Sequence, residues 1–234
     1  MRIHAIQTGT VAIKARQLNG RGRGALRPIN TLLDSTWTEP LPIYAWVIEH
    51  PEGLIVVDTG ETARVAEPGY FPWWQPYFKL GVRELVRPEE EIGPQLRAMG
   101  FAPSDVRWVL LTHFHTDHAG GLPHFPTSEI LVSRTEYQAA YGFRGQMRGY
   151  LPQHWPTWFK PYLIDFAPQP LGHFQAAIRS PALAMYTWFR HQAIRPDITR
   201  LLCRKMNMQS FSRLIPPIPS NCCLMMQLTV SHGM

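Results

Sequence analysis

Residues 111–122 read LTHFHTDHAGGL, with three histidines and an aspartate inside six positions. Imidazole nitrogens and a carboxylate are the ligands that a zinc-like divalent ion prefers. The run follows VRWVLL (106–111), an apolar segment that reads as a buried strand continuing to His113. His113 and His115 are two apart, so extended backbone would aim both rings to one side. Thr116 then turns the chain. Asp117 and His118 fall at a turn or helix start, ahead of Ala119-Gly120-Gly121. The competing reading is a polar loop of ordinary surface histidines. Crowded imidazoles without a metal waste hydrogen-bond capacity and repel one another when charged, which favours the metal.

Working outward, RIHAIQTG (2–9), LPIYAWVIEH (41–50) and GLIVVDTG (53–60) read as strands, the last two joined as a hairpin through Pro51-Glu52-Gly53. RPEEEIGPQLRAMGF (87–101) reads as a helix. Acids fill its first turn, Ile92, Leu96 and Met99 recur at helical spacing, and Pro94 is early enough to be tolerated. EILVSRTEYQAA (129–140) passes from strand to helix. Strands followed by β-α-β-α predict helices packed on sheets rather than a bundle. Two proline-rich aromatic segments, GYFPWWQPYFKL (69–80) and YLPQHWPTWFKPYL (150–163), are expected to be irregular. They either cover the core or wall an apolar substrate pocket.

The H-x-H-x-D-H run after a buried strand resembles the signature of the metallo-β-lactamase superfamily. VDTG (57–60) resembles that superfamily's first motif, with Asp58 as the carboxylate that orients the metal-binding loop. GYFPWW, RPEEEIGPQLRAMG and LVSRTEY further resemble the N-acyl homoserine lactonase family. The resemblance covers residues 1–172. It implies an α+β fold, a four-layer αβ/βα sandwich of which residues 1–172 are the N-terminal part. It also implies two divalent metal ions, zinc foremost, sharing a bridging hydroxide. His113 and His115 match the ligands of the first ion, and Asp117 and His118 those of the second. Asp117 is also the catalytic candidate. The implied reaction opens the lactone ring of an N-acyl homoserine lactone to the hydroxy acid. Phe71, Trp73 and Trp74 are candidates for the acyl-chain pocket. Thioester, phosphodiester or β-lactam hydrolysis on the same fold stays open, as does a non-catalytic truncated product.

The chain has 234 residues, which suits one domain with a sizeable core. Its formal charge of +6 would suggest nucleic acid, but the excess is confined to the end of the chain. Residues 173–234 carry seven basic residues against Asp197 alone, and all three cysteines. No nucleic-acid partner is therefore expected, and no membrane span. The start lacks a signal-peptide pattern, so the expected location is cytoplasmic. The expected partner is a small lactone or ester substrate, with a homodimer left open.

The resemblance also calls for a third histidine in a PGHTPGH-like turn, a bridging aspartate and a last histidine. His173, His191 and His232 do not sit in matching contexts. Reading the third base of each codon with the first two of the next, from Gly172 onward, permits PFPSSYPLTRSGDVYLVPTPGHTPGH. Some of those positions are forced: Met185-Tyr186 and Trp188-Phe189 each give valine. We therefore hypothesise that residues 173–234 are an out-of-frame tail created by a frameshift near Gly172. A second, independent read of the gene across codons 160–200 tests this. A frame that cannot be continued through TPGHTPGH would sink it. As written, the chain keeps four ligands, and the resemblance implies weakened metal binding.

Overall fold

The computed structural model describes residues 2–19 and 26–165, and the backbone of two short strands within 176–190. The chain divides into two units, Met1–Lys14 with Trp37–Asp165, and Ala15–Thr36 with Phe166–Met234. The expected boundary at residue 172 and the expected out-of-frame tail lie outside the described residues, apart from those two strands.

The first unit is built on one seven-stranded sheet. Its strands are β1 (Ile3–Ile13), β2 (Leu41–His50), β3 (Gly53–Val57), β4 (Val82–Leu85), β5 (Val106–Leu111), β6 (Glu129–Ser133) and β7 (Tyr162–Ile164), in the order β4-β1-β2-β3-β5-β6-β7. The β2–β3 hairpin forms as expected, with Trp46 opposite Val57 and His50 opposite Gly53. From β3 onward the pairs are parallel. Parallel neighbours need crossovers, and the intervening segments supply them. In the second unit lie α1 (Ala15–Asn19), α2 (Leu26–Leu32) and the antiparallel pair β8 (Ala176–Arg179) and β9 (Thr187–Arg190). The first unit holds α3 (Pro76–Leu80), α4 (Ile92–Ala98), α5 (Thr116–Ala119), α6 (Arg134–Ala140) and α7 (Gly142–Met147).

Burial follows the strand periods. Leu41, Ile43, Ala45 and Val47 alternate inward along β2. Strands β5 and β6 are buried on both faces, with Trp108 and Leu131 as closed off as Val109 and Val132. One core cluster joins Val56, Val109, Leu111 and Val132 of the sheet to Ile92 and Leu96 of α4 and to Phe114, Leu122 and Phe125. Each fully buried aliphatic side chain of this kind contributes roughly 1.5–3 kcal/mol relative to exposure.

The departures from expectation have local causes. Strand β1 does not stop at Gly9 but runs on to Ile13. Gly9, at φ 121°, instead marks a shift in the β1–β2 register, and a Cβ there would come within 2.6 Å of Val86 Cγ2. The helix expected over 87–101 splits into a turn at 88–90 and α4. Glu91 between them is extended because its carboxylate accepts from the Thr62 hydroxyl (3.0 Å) and the Ala63 N–H (2.8 Å). Pro94 falls in the first turn of α4, where it costs no hydrogen bond. The aromatic segments are largely irregular, but α3 forms behind Pro76 and β7 adds to the edge of β6. The first unit thus supplies one sheet with its helices. No described helix is long and apolar enough to cross a membrane.

Candidate metal centre

Because β3 and β5 are parallel neighbours, their C-terminal ends emerge side by side. Strand β3 stops at Val57 because Asp58 turns to φ 56°, a left-handed conformation that costs an aspartate on the order of 1 kcal/mol. Hydrogen bonds offset that strain. The Asp58 N–H donates to the Leu110 carbonyl (2.9 Å), and the next N–H, of Thr59, donates to the His118 carbonyl (2.7 Å). The side chain of Asp58 is 2% exposed and fully engaged. Oδ1 accepts from the Thr112 N–H (2.8 Å), the Thr112 hydroxyl lies 3.0 and 2.8 Å from the two oxygens, and His118 Nδ1 donates to Oδ2 (2.8 Å).

This one carboxylate sets two tautomers. His118 spends its Nδ1 proton on Asp58, which directs Nε2 to the other side, 3.5 Å from Asp117 Oδ2. The Thr112 hydroxyl gives its only proton to Asp58, so it accepts from His113 Nδ1 at 3.0 Å. The lone pair of His113 is then on Nε2. That atom is buried and has no hydrogen-bond partner among the described residues. The ligand atoms of His113, Asp117 and His118 all lie within 4.8 Å of one another.

The electrostatics differ sharply between neighbouring rings whose centroids are 3.9 Å apart. Burial, together with His118 and His115, pushes the His113 pKa well down. Burial would push His118 down too, but Asp117 and Asp58 outweigh it and raise its pKa to about 9. Without a metal, a proton occupies the negative field between His118 and Asp117. A divalent ion would sit in the same field and accept the stranded lone pair of His113. The residues present therefore fit a divalent cation, by geometry and by donor chemistry.

His115 is placed differently. Strand β5 ends at Leu111, and His115, with extended backbone at φ −64° and ψ 153°, stands directly before α5. The two ring centroids are 4.9 Å apart, but His115 Nε2 faces the Arg148 carbonyl at 3.1 Å and its ring stacks on Tyr150 at 4.6 Å. A second carboxylate supports this side. Glu136 accepts from the Phe114 N–H at 3.3 Å and from the Tyr150 side chain, and burial raises its pKa. Sequence reasoning passed over Glu136, Thr112 and Tyr150. Glu136 lies within LVSRTEY, but no spacing rule shows that an acid at a helix start is turned inward.

The aromatic candidates are scattered. Phe71 stacks on Phe78 at 4.5 Å, and Trp74 lies 5.9 Å from Phe143, ring to ring. Trp73 is 91% exposed. A small open cleft is lined by Tyr70, Phe114, Thr116, Leu151, His154 and Trp155 among others, and by none of those three candidates.

The profile of the Metallo-beta-lactamase superfamily matches residues 38–190. N-acyl homoserine lactonase AttM of Agrobacterium fabrum is 30% identical over 146 residues, 60% of this chain and 49% of AttM. N-acyl homoserine lactonase AiiA of Bacillus thuringiensis subsp. kurstaki is 35% identical over 101 residues, 43% of this chain and 40% of AiiA. The chain spans about half the length of the curated relatives it matches. Among solved structures, a B. thuringiensis AiiA mutant with N-decanoyl-L-homoserine at its active site aligns with a TM-score of 0.55 and 20% identity, covering 76% of this chain and 65% of that one. An N-acyl homoserine lactone hydrolase with N-hexanoyl-L-homoserine at its catalytic metal centre aligns equally well. At that identity the likeness shows the fold.

Proposed function

The chain belongs to the metallo-beta-lactamase superfamily, and from that premise we propose that it is of a metal-dependent hydrolase lineage that opens the lactone ring of N-acyl homoserine lactones. The observation that carries the metal half of this reading is the buried, partnerless Nε2 of His113 facing the Asp117–His118 pair. The likeness to AttM and AiiA carries the substrate half. We assign His113, Asp117 and His118 as ligands, with His115 joining them by turning its ring from the Arg148 carbonyl, and zinc as the ion. Two ions are the full complement of the reading, and the cytoplasm its location.

A divalent ion held there supplies Lewis-acid polarisation of the ester carbonyl and a water acidified towards neutral pH. The chain's own residues supply orientation and proton handling. Asp58 holds the Nδ1 proton of His118 and, through Thr112, that of His113, so both Nε2 lone pairs face the reacting side. Ring opening adds water to the carbonyl carbon, breaks the ring C–O bond and leaves an alkoxide. The attacking water gives up one proton, and we assign the Asp117 carboxylate to take it and pass it to the alkoxide.

A second reading is favoured by the composition break at residue 172: a product whose catalytic set is incomplete. One experiment weighs both. The purified chain is titrated with Zn²⁺, bound metal is measured by mass spectrometry, and hydroxy acid release from an N-acyl homoserine lactone is followed. Metal uptake with turnover supports the lactonase reading. Uptake abolished by His113→Ala but without turnover supports the incomplete product. No uptake at all removes the metal centre.

A further inference from the structure

Besides Asp58, a second acid enters the centre from the same loop. Glu61 follows Gly60, is 0% exposed, and forms no ion pair among the described residues. Its carboxylate accepts from the Thr62 N–H at 2.9 Å, from the Thr116 side chain, and from the Tyr70 hydroxyl at 3.5 Å. Thr116 opens α5, the four-residue helix that carries Asp117 and His118. At the other end of α5, Gly120 lies against the same acid: a Cβ there would come within 2.3 Å of Glu61 Oε1 and 3.0 Å of Glu61 Cα. The Gly121 N–H donates to the Gly60 carbonyl at 3.2 Å. Glu61 therefore touches both ends of the helix.

A four-residue helix cannot hold itself together, because nucleation is unfavourable and its hydrogen bonds are few. Its order must come from what packs on it. A buried acid is a costly brace unless its charge is settled. Burial settles it: the pKa of Glu61 is raised to about 8, which favours the neutral acid at neutral pH, and that of Glu84, on β4, is raised as well.

We propose that Glu61 is a positioning residue that fixes helix α5 and so sets where Asp117 and His118 present their ligand atoms. Asp58 fixes the ring orientation of His118, whereas Glu61 fixes the backbone beneath it. This rests on the metal-centre reading above.

The test compares the full chain with Glu61→Ala and Glu61→Gln in two ways. In metal-free protein, hydrogen exchange at His118, Ala119, Gly120 and Gly121 should quicken about tenfold in Glu61→Ala, with β5 and β6 unchanged, and return to the parent rate in Glu61→Gln. In the Co²⁺-loaded protein, the visible d–d band should shift in Glu61→Ala and stay at the parent position in Glu61→Gln. Should Glu61→Ala not fold, Thr116→Val removes only the hydroxyl link and should loosen the same four amides. Exchange and band unchanged, or a loss spread evenly over β5, β6 and α5, would overturn the proposal. A parent chain that takes up no cobalt sinks the metal-centre reading instead, and the exchange pattern alone then decides whether Glu61 holds the helix.

Discussion

The two sides of the histidine loop are supported by different chemistry. On one side Asp58 makes charge-assisted contacts to Thr112 and His118 from a 2% exposed position. On the other, Glu136 reaches the Phe114 N–H at 3.3 Å, and His115 rests on the Tyr150 ring and the Arg148 carbonyl. The Asp58 side is locked into one protonation pattern, and on the Glu136 side the imidazole meets a backbone carbonyl and an aromatic ring. A carboxylate on a ring nitrogen fixes tautomer and field together, while stacking fixes only the plane of the ring.

Breaking the two supports separately should expose that difference. Asp58→Ala leaves His118 buried without its partner and should cost about 3 kcal/mol in urea denaturation, with metal affinity about 10–100-fold weaker. Glu136→Ala should cost about 1 kcal/mol and leave affinity nearly unchanged. Equal losses in the two variants would show that the sides are equivalent. The ligands themselves sharpen the comparison. His113→Ala should abolish stoichiometric metal uptake, because it removes a buried lone pair already aimed at the site. His115→Ala should weaken uptake less, since its ring must first leave Arg148. Calorimetric titration with Zn²⁺ distinguishes the two.

A smaller effect concerns pH. Glu61 has a folded pKa raised from 4.5 to about 8, so the folded state holds a proton that the unfolded state has lost. Stability from this group is fully present below pH 4.5 and declines as pH rises through about 8. Glu61→Gln removes the titrating carboxyl and should flatten that decline. Chemical denaturation at pH 5 and pH 8 measures it, and an unchanged slope would mean that Glu61 does not set it.

Some of this was legible in the residues and some was not. The β2–β3 hairpin and the β6–α6 passage could be read because period and turn residues are local properties, and three of the donor groups singled out, His113, Asp117 and His118, lie within 4.8 Å of one another. The role of Asp58 came through the likeness of VDTG to a known motif, and the structure supplies the reason: a left-handed turn at the end of β3 beside a parallel β5. The contributions of Thr112, Glu136 and Glu61 were not legible, because each depends on a contact between segments far apart in the chain. His113 and His115 come to 4.9 Å, ring to ring, but the turn of His115 Nε2 towards the Arg148 carbonyl was not legible, because that contact too joins distant segments.

The weakest expected effect tests the aromatic segment. Trp73 is 91% exposed, so little of its surface is packed. Trp73→Ala should therefore change stability by no more than about 0.5 kcal/mol. Phe71, stacked on Phe78, should cost more when truncated, because its ring is part of a packed pair. If Trp73 belongs to the acyl-chain pocket, its loss should raise KM for long-chain lactones more than for short-chain ones, with kcat held. An exposed indole that serves only as surface would leave both KM values where they were. The pairing of a silent stability readout with a chain-length-dependent KM is what separates a substrate-facing aromatic from a covering one.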